Sequence, residues 1–174
     1  MALFVALAAG CDGEAMEPDE DDPDCMRARA LTIDGCGELI GESFCSEGRE
    51  HVAFGSELRY DSNPPHSGPH YPNATFWGIH DSTVDRGTYV HNLEHGGIVL
   101  AFNCSDCDDE VRALRDAVAA RPDFRILVTR DVDLPTRFAA ISWTWVYAFD
   151  AIDTDALLCF IDQHEGFAPE NIAK

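Results

Sequence analysis

The sequence predicts an α+β fold: a single domain with a mixed or antiparallel sheet, two helices packed on it, and a long loop region before the central strand. Three observations point there. The run Ile98-Val99-Leu100-Ala101-Phe102 has the length and continuity of a strand buried on both faces. A helix-period stretch follows it, and two further strand-like runs separate that helix from a second one near the C-terminus. The chain, 174 residues at 45% hydrophobic, can fill one core but not two comfortable ones. The order strand, helix, strand, strand, helix places helices on one side of a sheet.

At the N-terminus, residues 1–11 read MALFVALAAGC, a short apolar run ending in Leu7-Ala8-Ala9-Gly10-Cys11. It has the form of a bacterial lipobox, without the usual leading basic residue, and predicts cleavage before Cys11 and acylation of its thiol. Residues 12–24, DGEAMEPDEDDPD, hold eight acidic side chains and no basic one. Repulsion at that density, with little apolar surface to offset ordering, predicts a disordered acidic tether. Residues 25–174 are then one domain held outside the cytoplasm, in the periplasm or at the cell surface, with lipid as its only membrane contact. The net charge is −20, and −12 without the tether's eight charges, which argues against nucleic acid and anionic headgroups as partners. No other stretch approaches the length of a membrane span.

Residues 25–60 mix glycine, charge and short apolar pieces, which predicts short strands and turns. Residues 61–88 carry Asn63-Pro64-Pro65, Gly68-Pro69, Tyr71-Pro72 and Gly78, and read as a structured loop. After the strand at 98–102, Ser105 or Asp106 can cap a helix to about Ala120, with Val111, Leu114 and Val118 on one face. Phe124 to Thr129 reads as a second strand. Residues 138–149, FAAISWTWVYAF, alternate bulky and mostly small side chains and predict one long strand, with Trp143 and Trp145 in the core. Asp153 or Thr154 caps a closing helix bearing Leu157, Leu158 and Ile161, and Gly166 stops it.

Six cysteines besides Cys11 suit an oxidising compartment: Cys25, Cys36, Cys45, Cys104, Cys107 and Cys159. Their pairing is open, although Cys104 and Cys107 are natural partners by proximity. Cys104-Ser105-Asp106-Cys107 follows a central strand and opens a helix, where thioredoxin-like proteins keep a reactive pair. Asp106, Asp108 and Asp109 oppose reactivity, because nearby negative charge raises a thiol's pKa. A structural disulfide is therefore favoured over an oxidoreductase.

The segments Asn63-Pro64-Pro65-His66-Ser67-Gly68-Pro69-His70-Tyr71-Pro72, Trp77-Gly78 and Val90-His91-Asn92-Leu93-Glu94-His95-Gly96-Gly97 resemble the bacterial domain-of-unknown-function family 3105. The likeness runs from about Arg49-Glu50-His51-Val52 to the C-terminal helix. It implies a secreted or membrane-anchored domain, no defined activity, and functional residues within the Ser-Gly-Pro-His and His-Asn-Leu-Glu-His-Gly-Gly motifs. At the position of His66 the family pattern more often has a small hydroxyl residue.

Residues 91–95 also match the inverted zinc-protease order H-x-x-E-H. Gly87, Gly96 and Gly97 leave little room for the helix such proteases require, so a single helical turn or tight hairpin is predicted. The convergence of imidazoles still points to metal. His70, on a proline-held loop, can join His91 and His95 as a three-histidine set, with Glu94 as ligand or orienting group and His66 able to fill a fourth position. Methionines occur only at 1, 16 and 26, so a thioether site for Cu(I) is disfavoured and zinc or copper(II) is the expected ion. Three functions follow: metal binding without assigned catalysis, an envelope interaction or structural module in which the histidines are architectural, and a thiol-disulfide oxidoreductase using Cys104 and Cys107.

Overall fold

A computed structural model describes residues 16–19, 22 and 24–170; the lipobox segment with Cys11 lies outside them. Its main body is a six-stranded mixed sheet made of β3 (Glu42–Ser43), β4 (Gly78–Ile79), β5 (Ile98–Phe102), β6 (Ile126–Arg130), β7 (Phe138–Ser142) and β8 (Trp145–Phe149), in the order β3-β8-β7-β5-β6-β4. Strand β5 pairs parallel with β6 and antiparallel with β7, which makes it central. Its first four residues are fully buried, as its continuous apolar sequence predicts.

Helices α2 (Asp108–Ala120) and α3 (Thr154–His164) cover one face of this sheet. Leu114 and Ala117 of α2 and Leu157, Phe160 and Ile161 of α3 pack with Ile98, Leu100, Ile126, Val128, Phe138 and Ala140. The α+β class, the mixed sheet and this helical layer follow the sequence reading. Helix α2 starts later than its sequence signals suggest: Cys107 is its N-cap and makes no side-chain cap bond, so neither Ser105 nor Asp106 serves.

The opposite face is covered by a helix that the sequence does not predict, α1 (Arg86–Glu94). Its Tyr89, Val90 and Leu93 pack on Val99, Ala101, Leu127, Ala139 and Ile141, together with Trp143. The expected single turn or hairpin around His91 is therefore corrected to the last turn of a nine-residue helix. Gly87, read as a breaker, sits inside the first turn, where a Cβ would run into Leu58 and Tyr71. Close packing selects glycine there and overrides its poor helix propensity.

The long strand expected over 138–149 is a hairpin of β7 and β8, with Ser142 paired to Trp145. Thr144 takes φ 63, a left-handed conformation that disfavours a β-branched residue. Three bonds hold it. Its N–H donates to His66 O (3.1 Å), its carbonyl accepts from Phe44 N (2.8 Å), and its Oγ1 accepts from Ala28 N (2.7 Å). The turn is thus fixed by tertiary contacts rather than by turn-favouring residues, and Trp143 is driven into the core at 0% exposure.

Within the stretch read as an acidic tether, β1 (Met16–Pro18) pairs antiparallel with β2 (Met26–Ala28). The countercharge comes from just downstream. Arg27 meets Asp19 at 2.9 Å and Arg29 meets Glu17 at 3.5 Å, while Met16 packs against the core. Three disulfides join Cys25 to Cys45, Cys36 to Cys159 and Cys104 to Cys107. Among the described residues no helix is long and apolar enough to cross a membrane.

Candidate metal centre

Helix α1 is anchored at both ends, and this positions the histidines. At its start the Asp85 carboxylate accepts from Gly87 N (2.8 Å). Arg86 donates twice to Asp131 (2.9 and 3.0 Å), and Tyr89 OH donates to the same carboxylate (3.2 Å). At its end Gly96 adopts φ 80, which lets the chain turn sharply toward β5. His91 and Glu94 lie in the last turn of α1, and His95 caps it.

The loop before α1 delivers the other ligand candidates. His51 and His70 form an isolated parallel bridge, in which His70 N donates to Glu50 O (2.9 Å) and Val52 N donates to His70 O (2.8 Å). This brings His51, His70, His91 and Glu94 together, with one ligand atom from each lying within 4.8 Å of the others. His51 stacks on His91 at 4.9 Å between ring centroids and meets His70 edge-on at 4.7 Å. Trp143 stands edge-on to His70 at 6.4 Å and closes the inner side. His70 and Glu94 are fully buried, whereas the His51 side chain is 44% exposed and forms the solvent side.

Hydrogen bonds set the tautomers. A carbonyl oxygen can only accept, so His70 Nδ1 donates to Gly68 O (2.8 Å) and His91 Nδ1 donates to Tyr71 O (2.7 Å). In neutral rings this leaves the lone pair on each Nε2. His70 Nε2 lies 2.9 Å from Glu94 Oε2, and His51 Nε2 lies 3.4 Å from the same oxygen. A lone pair facing a carboxylate requires a positive charge between them, either a proton or a metal ion.

The electrostatics agree. Burial pulls His70 down, but the hydrogen bond to Glu94, the Gly68 carbonyl and the Glu94 charge outweigh it, and its pKa rises above the ordinary histidine value. Burial pushes Glu94 up, but His70, His51 and His91 hold it below the ordinary carboxylate value. Burial lowers His91, with further lowering from His70 and His51, and so favours its neutral, ligating form.

Of the residues singled out in the sequence, His70, His91 and Glu94 meet in this cluster. His95 stacks on His91 at 4.5 Å but belongs to a neighbouring group with Glu94 and Glu170. His66 joins neither group. It stacks on Phe44 at 4.9 Å, bonds Ser67 Oγ through Nδ1 (2.9 Å), and offers its carbonyl to Thr144, so it braces the hairpin turn. The sequence does not single out His51 as a ligand. Its one signal is the Arg49-Glu50-His51-Val52 segment at the edge of the family likeness.

A family model described as "Protein of unknown function (DUF3105)" matches residues 51–174. The chain belongs to this family. The DUF3105 match begins at His51, so all four members of the cluster fall within it. No curated protein and no solved structure matches the chain.

The other constellation of this DUF3105 domain is less suited to chemistry. Cys107 is buried, Cys104 is half-buried, and Asp108, Asp109 and Glu110 occupy the first turn of α2. The carboxylates counter the helix dipole that would otherwise stabilise a thiolate.

Proposed function

We propose that this chain is an extracytoplasmic lipoprotein domain that binds a transition metal, zinc or copper, through His51, His70, His91 and Glu94. One observation carries the reading. Two imidazoles spend Nδ1–H on backbone carbonyls, Gly68 O and Tyr71 O, which leaves each Nε2 as the ligating atom, and both rings belong to a cluster around one buried carboxylate that His70 Nε2 meets at 2.9 Å. Backbone partners of this kind are what fix the tautomer and aim of metal-ligating histidines. Three imidazoles and a carboxylate suit zinc or copper(II) better than the oxygen-preferring cations. A lipid anchor at Cys11 and an oxidising compartment are supported by Leu7-Ala8-Ala9-Gly10-Cys11 and by three disulfides.

A second reading rests on the 2.9 Å contact between His70 and Glu94. A proton satisfies that pair as well, and the cluster is then an architectural ion pair in an envelope module. Calorimetric titration of chelator-stripped protein with zinc and copper separates the two. Wild type should bind one of these ions tighter than roughly 10 micromolar, and His70→Ala or His91→Ala should weaken binding by on the order of 100-fold or more. Affinity should fall as pH drops, first through the raised pKa of His70 and further below about 6.5, because protons compete for imidazole. Binding to neither ion, or equal binding by His91→Ala, leaves the architectural reading. For the anchor, Cys11→Ser should move full-length protein from the detergent phase to the aqueous phase in a host that processes lipoproteins; unchanged partitioning excludes acylation there.

A further inference from the structure

We infer that the centre takes two metal ions, with Glu94 as a bridging carboxylate and the second ion held by His95 and Glu170. This deepens the metal reading above and rests on it. Glu94 belongs to both groups of potential ligands, one with His51, His70 and His91 and one with His95 and Glu170. Its Oε2 faces His70 and His51 at 2.9 and 3.4 Å. The bridge assigns Oε1 to the second ion. The Glu94 side chain is 1% exposed, so a second positive charge beside it also offsets the cost of burying a carboxylate.

The second group has its own unmet need. His95 Nε2 is a buried atom with no hydrogen-bond partner among the described residues, and the Glu170 carboxylate stands 4.0 Å away, beyond hydrogen-bonding reach. A buried polar atom left without a partner costs on the order of 1–3 kcal/mol, and most such atoms have a reason. Two ligands that each sit about 2.1 Å from one ion lie roughly 3–4 Å apart, and the 4.0 Å between His95 Nε2 and Glu170 Oε2 is at the upper end of that range.

The placement of Glu170 is built into the fold. Gly166 N donates to Gly96 O (2.8 Å), and Glu170 N donates to Glu94 O (3.1 Å), so the segment after α3 is laced to the end of α1. Arg125 Nη1 donates to His95 O (2.6 Å) and fixes the same corner. His91 and His95 stack one helical turn apart and put their imidazoles side by side, one for each ion. The two ions differ in their ligands. The first has three imidazoles and a shared carboxylate, and the second has one imidazole, the shared carboxylate and the exposed Glu170.

Metal content and copper spectroscopy test this on the full chain. After stripping and equilibration with zinc or copper(II), wild type should retain two ions per chain, and His95→Ala and Glu170→Gln should each retain one. Glu170 is exposed, so Glu170→Gln tests the second ion even if His95→Ala disturbs the fold. Loaded with two copper(II) ions, the protein should give the broadened spectrum and half-field transition of two neighbouring copper spins, which Glu170→Gln should lack. One ion in wild type, lost only in His70→Ala or His91→Ala, overturns the second ion and leaves the first standing. No ion at all overturns both, and two ions with the spectrum of isolated copper(II) overturn the bridge.

Discussion

The two faces of the sheet are organised on different rules. On the α2/α3 face, apolar side chains at helical spacing meet apolar strand residues, and burial of area holds the layer together. On the α1 face seven of nine helix residues are buried, among them His91, Asn92 and Glu94. Each of those polar side chains has a partner: Tyr71 O for His91, the Thr75 backbone N and O for Asn92, and His70 for Glu94. Area tolerates exchange of one hydrophobe for another; matched partners do not. The difference separates a layer held by buried area from a layer built around a buried polar cluster.

The largest effect should come from opening the staple on the apolar side. Cys36–Cys159 closes a sequence separation of 123 residues and ties the N-terminal segment to α3. On the chain-entropy account its loss costs about 5 kcal/mol. Urea unfolding of Cys36→Ser/Cys159→Ser should show most of that drop.

A smaller pair of changes tests whether the faces are separable. Phe160→Ala, at 0% exposure in the α2/α3 layer, should cost about 3–5 kcal/mol and leave metal content unchanged. His91→Ala should cost about 1–3 kcal/mol through the orphaned Tyr71 carbonyl and abolish tight metal binding. Loss of metal in a folded Phe160→Ala protein would show that the layers are coupled and break the comparison.

The same contrast decides what could be read in the sequence. Strand β5, helix α2 and helix α3 were legible because area burial leaves a period: Leu114 and Ala117, or Leu157, Phe160 and Ile161, recur at helical spacing. Helix α1 left no period, since polar and apolar residues are buried all round it. The hairpin at Trp143-Thr144 was hidden because its positive φ is held by Ala28, Phe44 and His66, all distant in sequence. Within the site, His91 and Glu94 were visible as a local motif. His51 was not, because a bridge to His70 brings it in from outside the motif. His66 was misleading: a histidine beside the motif braces the turn, with its ring on Phe44 and its carbonyl on Thr144.

Histidine titration sharpens the comparison. His164 lies on the apolar side, against Trp145 and Phe160, with Nε2 donating to Ile40 O (2.9 Å). Burial pushes its pKa down to about 4. The unfolded chain, with a value near 6.5, then binds more protons than the folded one between those limits. Stability from this group is full above about 6.5 and falls with pH toward 4, by about 3 kcal/mol. In the metal-free site the signs oppose each other. His91 and His95 are lowered and behave like His164, while His70 is raised and contributes stability at low pH that is lost as pH rises through its folded value. His164→Gln should therefore flatten the stability profile between pH 7 and 4.5 more than His70→Gln does. Equal slopes in wild type and His164→Gln would show that this histidine is solvated when folded.

The smallest effect should belong to Cys104–Cys107, which closes a sequence separation of only 3 residues. So short a loop restrains the unfolded chain little, and its loss should cost about 2 kcal/mol or less. The bond sits at the start of α2, where Cys107 is the N-cap without a side-chain cap bond, so serine there can even supply the missing acceptor and offset part of the loss. The acidic first turn bears on reactivity as well as on structure. Asp108, Asp109 and Glu110 stabilise α2 through its dipole and at the same time disfavour a thiolate at its end. Cys104→Ser/Cys107→Ser should accordingly lower the urea midpoint slightly, retain full metal content, and leave turnover of a small disulfide substrate unchanged from a wild-type rate near background. Rapid turnover by wild type that disappears in this variant would place chemistry at the head of α2.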